Sequence, residues 1–265
     1  LLSIPVPSAT GFTTALTNIG EVLNKGWELQ INTRNTQNNL LWNTNISLAH
    51  NTNEVKKLGP ENTPLLGGAH DIPHNITMVG EPMYSLYLVQ QIGILSQEDI
   101  DNGAALYGNQ EAGDPRYLDV NDDGIISPDD RVLSGHPDPD YVWGITNTFA
   151  YKGFDLSVLI EGQWGGKIYS TFGRAIDRTG MGFVDNALGD HHNRWRSPEN
   201  PGNGEVGKAN SSFGRIKNTD WLYSSDYWRV KNITLGYDVG RHLASVPAIS
   251  GMRVYATMKN WFGRD

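Results

Sequence analysis

Residues 139–161 read PDYVWGITNTFAYKGFDLSVLIE, a hairpin written in two-residue alternation. In its first arm Tyr141, Trp143, Ile145 and Phe149 share one side, interrupted only by Asn147. Val142, Gly144, Thr146, Thr148 and Ala150 take the other. In its second arm Phe154, Leu156, Val158 and Ile160 alternate with Asp155, Ser157 and Glu161, with Leu159 as the exception. Period-two alternation marks strands whose two sides meet unlike surroundings. Tyr151, Lys152 and Gly153 leave room only for a tight turn, so the arms are antiparallel neighbours. The apolar side must touch either a protein core or lipid.

The same texture recurs on both flanks. Trp27 to Arg34 sets Trp27, Leu29, Ile31 and Thr33 against Glu28, Gln30, Asn32 and Arg34. A polar turn over 35–39 leads to Leu40 to His50, where Trp42, Thr44, Ile46 and Leu48 oppose Asn43, Asn45, Ser47 and Ala49. Near the end, Tyr227 to Tyr237 and Met252 to Phe262 form two more strands. In the former the apolar parity changes between Val230 and Ile233, which predicts a bulge at Lys231 or Asn232. Residues 1–20 are rich in Ser, Thr, Pro and Gly and read as an irregular lead-in, and 51–138 and 162–226 as long irregular excursions. The apolar run Met83 to Leu95 is expected to form a hairpin or extension inside the first excursion.

Composition limits the alternatives. With 30 glycines and 13 prolines in 265 residues, turns are plentiful. A hydrophobic fraction of 38% and a mean hydropathy of -0.43 do not describe a bundle of membrane helices, and no run approaches the roughly 18 apolar residues a spanning helix needs. A barrel strand, wet on one side, escapes that test. The absence of cysteine removes disulfides, thiolate metal sites and cysteine nucleophiles. A net charge of -8 without a basic run argues against a nucleic-acid surface. The opening LLSIPVPSATGF has no basic n-region, which leads us to expect a processed protein or part of a longer one.

The connections alternate in length. Short or moderate ones lie at 35–39, 151–153 and 238–251, and long ones at 51–138 and 162–226. In a meander, alternate connections fall on opposite edges, so short turns gather on one side and long loops on the other. Outer-membrane barrels are built that way. A β-sandwich remains open on these features alone.

Several stretches resemble the C-terminal part of the SusC/RagA-type TonB-dependent outer-membrane transporters of Bacteroidetes: PSATGFTTALTNIGEVLNKGWEL at 7–29, YLDVNDDGIISPDDRVLSGHPDPDYVWGITNTFAYKGFDLSVLIEG at 117–162, NRWRSPENP at 193–201, and YWRVKNITLGYDV with MRVYATMKNWF near the end. They follow the family's order. The resemblance implies an all-β antiparallel transmembrane barrel, about six to eight strands of a larger plugged barrel, with long extracellular loops. It implies an outer-membrane location and no enzymatic activity. It also implies import of an oligosaccharide or peptide together with a SusD-like surface lipoprotein and TonB. Residues 1–265 would be the C-terminal part of the receptor barrel, with plug, TonB box and final strand lying elsewhere, and the remainder of the barrel and outer-membrane lipid covering its edges. The rival readings are a secreted calcium-stabilised β-sandwich that binds glycans and a glycoside hydrolase fragment.

Two groups of residues stand out as sites. Asp119, Asn121, Asp123, Ile125, Ser127 and Asp130 have the spacing of a Ca2+ loop: oxygen side chains at positions 1, 3, 5 and 9, Gly124 at 6, a carbonyl at 7 and a carboxylate at 12. Asp at position 12 has a shorter reach than Glu, and no amphipathic helices flank the loop. The plainer reading is a turn held by its own Asx bonds. Trp164, Tyr169, Trp195, Trp221 and Tyr223, set among Asn, Asp and Arg, suit a sugar ring with its apolar face and hydroxyl edge. An aromatic girdle or simple packing explains the same residues. Glu28, Arg34, Asp155, Arg253 and Lys259 are expected on a water-facing side. His191 and His192 lack zinc spacing, and no GxSxG or phosphate loop occurs.

Overall fold

A computed structural model describes residues 2–5, 11–12, 14–18, 20–68, 73–176, 189–209, 211, 213, 216–242 and 251–265. Six long strands dominate: β1 (Gly20–Gln37), β2 (Leu40–Leu58), β3 (Tyr141–Tyr151), β4 (Phe154–Trp164), β5 (Tyr227–Asp238) and β6 (Arg253–Arg264). They lie side by side in one sheet in the order β6-β5-β4-β3-β2-β1. Each strand therefore neighbours the one before it in the chain.

The hairpin read from residues 139–161 is present in full register. Tyr141 faces Trp164 and Tyr151 faces Phe154. Lys152 and Gly153 turn the chain with φ of 48° and 90°, the two positive angles of a type I′ turn that matches strand twist. β1 and β2 are longer than their alternation predicts. β1 runs on through Gln37, so the reversal narrows to residues 38–39, and β2 continues past His50 to Leu58. The bulge is where parity puts it: the register against β6 shifts between Val230 and Asn232, leaving Lys231 as the extra residue.

The chain divides into two compact units. One holds residues 23–53, 138–167 and 224–265, the main span of the sheet. The other holds 1–22, 54–137 and 168–223, and it corrects the expectation of irregular excursions. Met83 to Leu95 forms two strands, Ser85–Val89 and Gln91–Ile94. The first pairs with Asn75–Thr77 and Arg131–Leu133, the second with Pro115–Tyr117. The lead-in is also ordered in part, since Leu2–Pro5 pairs with Thr14–Thr17. This unit has a true core in which Val89, Tyr117 and Ile126 pack with Ala105 and Ile216.

All nine buried hydrophobic side chains among the described residues belong to that second unit. The main span of the sheet has none, Val55 lying in the far end of β2. A sandwich sheet buries one face against another layer, so the sandwich reading has no core to rest on. The sheet instead exposes large side chains such as Phe154 (52%), Leu235 (50%) and Phe262 (58%).

Candidate functional site: two faces of one sheet

Register assigns every mid-strand side chain to one of two faces. On the first, Phe149 lies opposite Trp42 and Leu156, and Ile145 opposite Ile46 and Ile160. Val158 lies opposite Ile233, which in turn lies opposite Met258. Trp27 joins this face through ring contacts with His50 (6.0 Å) and Tyr141 (6.4 Å). Between the level of Trp143, where Arg264 falls by register, and that of Tyr151 it carries no Asp, Glu, Lys or Arg.

Aromatic side chains border that face at both levels. Tyr141, Trp143 and Trp164 gather at one end, with Trp143 and Trp164 5.3 Å apart. At the turn end stand Tyr151 and the Phe154–Tyr237 pair at 4.3 Å, and Lys152 lies 5.1 Å over the Tyr151 ring. Tyr141 and Tyr151 are ten residues apart, about 34 Å along an extended strand, which a tilt of 35–45° reduces to an apolar band of about 25 Å. That is the height of a barrel's hydrocarbon belt.

The opposite face is polar. Thr146, Thr148, Ser157, Thr234 and Thr257 line its middle, and the expected Glu28, Arg34, Asp155, Arg253 and Lys259 all fall on it. Its charges pair across strands: Lys231 Nζ meets Glu161 at 2.9 Å, and Arg253 donates through Nε (2.9 Å) and Nη2 to the two oxygens of Asp155. Arg253 reaches Asp155 across the intervening strand β5, over Gly236. A Cβ there would lie 2.3 Å from Arg253 Nη2 and 2.6 Å from Asp155 Oδ1. On the apolar face Gly162 has a matching role, since a Cβ would sit 2.6 Å from Trp143 Cζ2 and 2.5 Å from the Tyr227 carbonyl. The indole thus lies across β4. Neither glycine was singled out from the sequence, because only the cross-strand register shows what passes over them.

The Asp119–Asp130 loop is closed by its own hydrogen bonds. Asp119 accepts from the amides of Asp123 (3.3 Å) and Gly124 (2.8 Å), Asn121 from Asp123 (3.1 Å), and Asp123 from Ile125 (2.9 Å). Asp130, fully buried, accepts from Val120 (2.8 Å) and Ser127 (2.7 Å). Burial alone would raise its pKa, but amides of Ser127, Val120 and Asn121 outweigh it and hold the carboxyl below its ordinary value. The Asn121 side-chain amide nitrogen donates to Asp123 Oδ2 at 3.0 Å. Among the described residues no three His, Cys, Asp or Glu side chains gather as a metal cluster. The loop so arranged fits the Asx-turn reading, while the carboxylate oxygens of Asp119 and Asp123 each accept one bond and retain a second lone pair.

The five aromatic residues do not converge. Trp164 stands on the apolar face of the sheet, opposite Tyr141. Trp221 is 2% exposed and is a core side chain of the second unit, which corrects its reading as a sugar platform. Trp195 packs over Gly113, where a Cβ would meet its indole at 2.5 Å. Tyr169 stacks on His74 at 4.7 Å. Tyr223 alone of the five has an open ring outside the sheet, at 47% exposure.

No family model matches the chain. Curated relatives do. TonB-dependent receptor P26 of Formosa agariphila is 32% identical over 98% of this chain and 26% of its own length. TonB-dependent receptor SusC of Bacteroides thetaiotaomicron is 26% identical over 99% of this chain and 25% of its own. The chain thus spans about a quarter of the length of the curated relatives it matches. Among solved structures, the RagAB peptide importer in its open-open state superposes with a TM-score of 0.81 at 20% identity, over the whole of this chain and 27% of that one. The RagAB peptide transporter gives 0.76 at 21% identity, over 98% and 28%.

Proposed function

From a chain that matches SusC/RagA-type TonB-dependent receptors along nearly its whole length, in sequence and in sheet, we propose that residues 1–265 form the C-terminal part of the barrel of a nutrient importer. Its place is the bacterial outer membrane, and it is a receptor rather than an enzyme. The observation that carries the proposal is the two-faced sheet, with a charge-free apolar band on one side and paired charges among threonines and serines on the other. A wall of this kind separates lipid from a wet interior.

The cargo we propose is an oligosaccharide or a peptide, received with a SusD-like lipoprotein and moved at the expense of TonB. The likeness to SusC and to the RagAB importer supports this. Of the five loop aromatics, Tyr223 has the most exposed ring outside the sheet, and it is the one we propose that cargo meets. The polar face gives such cargo hydroxyls, amides and already paired charges, so it passes without meeting a naked ion. The test is uptake of labelled oligosaccharide and oligopeptide mixtures by cells with and without the full-length receptor. Uptake that needs the receptor and stops when the proton gradient is collapsed is expected. Uptake indifferent to both contradicts the proposal.

The Asp119–Asp130 loop is proposed to take calcium, on its spacing and its uncommitted lone pairs. Addition of Ca2+ should raise the amide protection of residues 119–127, and Asp123→Ala should remove the response. Equal protection with Ca2+ and with chelator contradicts it.

A further inference from the structure

Lys152 stands at a position that a turn of this kind usually gives to asparagine, aspartate or glycine. The first central residue of a type I′ turn takes a left-handed angle, 48° here, which a long side chain adopts only at a cost. No ion pair offsets that cost. Among the described residues Lys152 Nζ meets no carboxylate, and it lies 5.1 Å over the ring of Tyr151. The neighbouring carboxylates are engaged elsewhere: Asp155 binds Arg253, and Asp238 accepts from the Gly240 amide. The Tyr151 hydroxyl is likewise unbonded among the described residues, whereas that of Tyr237, in the same row, meets His242.

Because it lies over the Tyr151 ring, the ammonium stands on the apolar side of the sheet, just past the last aromatic side chains of the band. Lipid headgroups begin at that level. The sign of the charges at the margins of this face points the same way. The first charge met at either margin is a cation, Lys152 at the turn end and Arg264, opposite Trp228, at the other. The polar face instead mixes signs, in pairs such as Lys231–Glu161 and Arg253–Asp155. A margin that carries cations and no carboxylate is complementary to an anionic neighbour.

We propose that Lys152 Nζ and the Tyr151 hydroxyl together bind the phosphate of a phospholipid with net negative charge, in the leaflet on the side of the short turns. Both groups are donors, and a phosphodiester presents two unesterified oxygens to receive them. A zwitterionic headgroup would bring its own cation beside Lys152, where the carboxylates at hand are already engaged. The acyl chains of the bound lipid run down the face over Phe154 and Leu235, which are 52% and 50% exposed. This rests on the assignment of the charge-free face to the membrane.

The test is native mass spectrometry of the detergent-purified full-length receptor after exposure to an equal mixture of phosphatidylglycerol and phosphatidylcholine with the same acyl chains. Retention of phosphatidylglycerol in about fivefold preference is expected, the effect of one cation near an anionic lipid surface. Lys152→Asn should abolish the preference without lowering the thermal midpoint in lipid-free detergent, since asparagine suits the turn. Lys152→Arg should keep the preference, and Tyr151→Phe should weaken it. Equal retention of the two lipids by the native receptor, or a preference that survives Lys152→Asn, overturns the proposal. So does release of phosphatidylglycerol by inorganic phosphate, which would mark a site for free anions. If Lys152→Asn fails to fold, the native, Lys152→Arg and Tyr151→Phe proteins decide, and a preference lost with arginine or untouched by phenylalanine overturns it. A receptor that keeps both lipids in equal amounts rejects the lysine site alone, and one that keeps neither rejects the membrane assignment as well.

Discussion

At the scale of single residues, Asp130 shows how a carboxylate holds a loop. It is buried, its partners are amides, and its ionised form is the one they favour. Its pKa in the folded loop is therefore lowered relative to the unfolded chain, so its contribution is present above about pH 4 and is lost as the pH falls through the lowered value. Protection of the Val120 and Ser127 amides should persist from neutrality to about pH 4 and fall only below it. Loss between pH 5 and 7 would contradict this. Asp130→Ala should destabilise the loop by about 1–3 kcal/mol, since both amides lose their acceptor. Gly162 makes the reverse point. Its substitution by Ala should displace the Trp143 indole and strain the approach of Tyr227, costing about 1–3 kcal/mol, with a change in tryptophan emission as the readout. Neither role is visible in sequence, where Asp130 is one acidic residue of several and Gly162 ends an ordinary strand.

Among the elements, the strands whose sides differ were legible and the rest were not. The hairpin of β3 and β4 follows from alternation, its turn from Lys152-Gly153, and the β5 bulge from a change of parity. The far end of β2 was hidden because past His50 the chain reads Asn-Thr-Asn-Glu, which carries no apolar parity. Three-residue strands such as Asn75–Thr77 are too short for a period to show. Trp221 was misjudged because an aromatic residue in a Gly- and Asn-rich stretch looks the same whether its ring is buried or open. Register also explains how β6 is tied to β4. The Arg253–Asp155 pair needs the gap at Gly236, so Gly236→Ala and Arg253→Ala should remove the same interaction. Each should lower the thermal midpoint only slightly, since the pair is exposed and screened by solvent. The double variant should then be no worse than the poorer single one. Strict additivity in thermal unfolding would show that the pair and the glycine act separately.

For the whole molecule, the sequence pattern of short and long connections, the coreless sheet and the match to receptor barrels agree on a wall between lipid and water. The enclosed polar cargo route and its partners follow only as proposals, since about three quarters of such a receptor lies outside this chain. Because the chain contains no cysteine, single cysteines placed along β4 report their surroundings without interference from it. The decisive measurement is therefore labelling of Leu156→Cys, Ser157→Cys, Val158→Cys, Leu159→Cys and Ile160→Cys in the folded full-length receptor, with a water-soluble maleimide and with a lipid-phase quencher of a reporter at each position. The account predicts strict alternation: positions 157 and 159 react from water, while reporters at 156, 158 and 160 are quenched from lipid. Equal access to water on both parities, or quenching at 157 and 159, would contradict it.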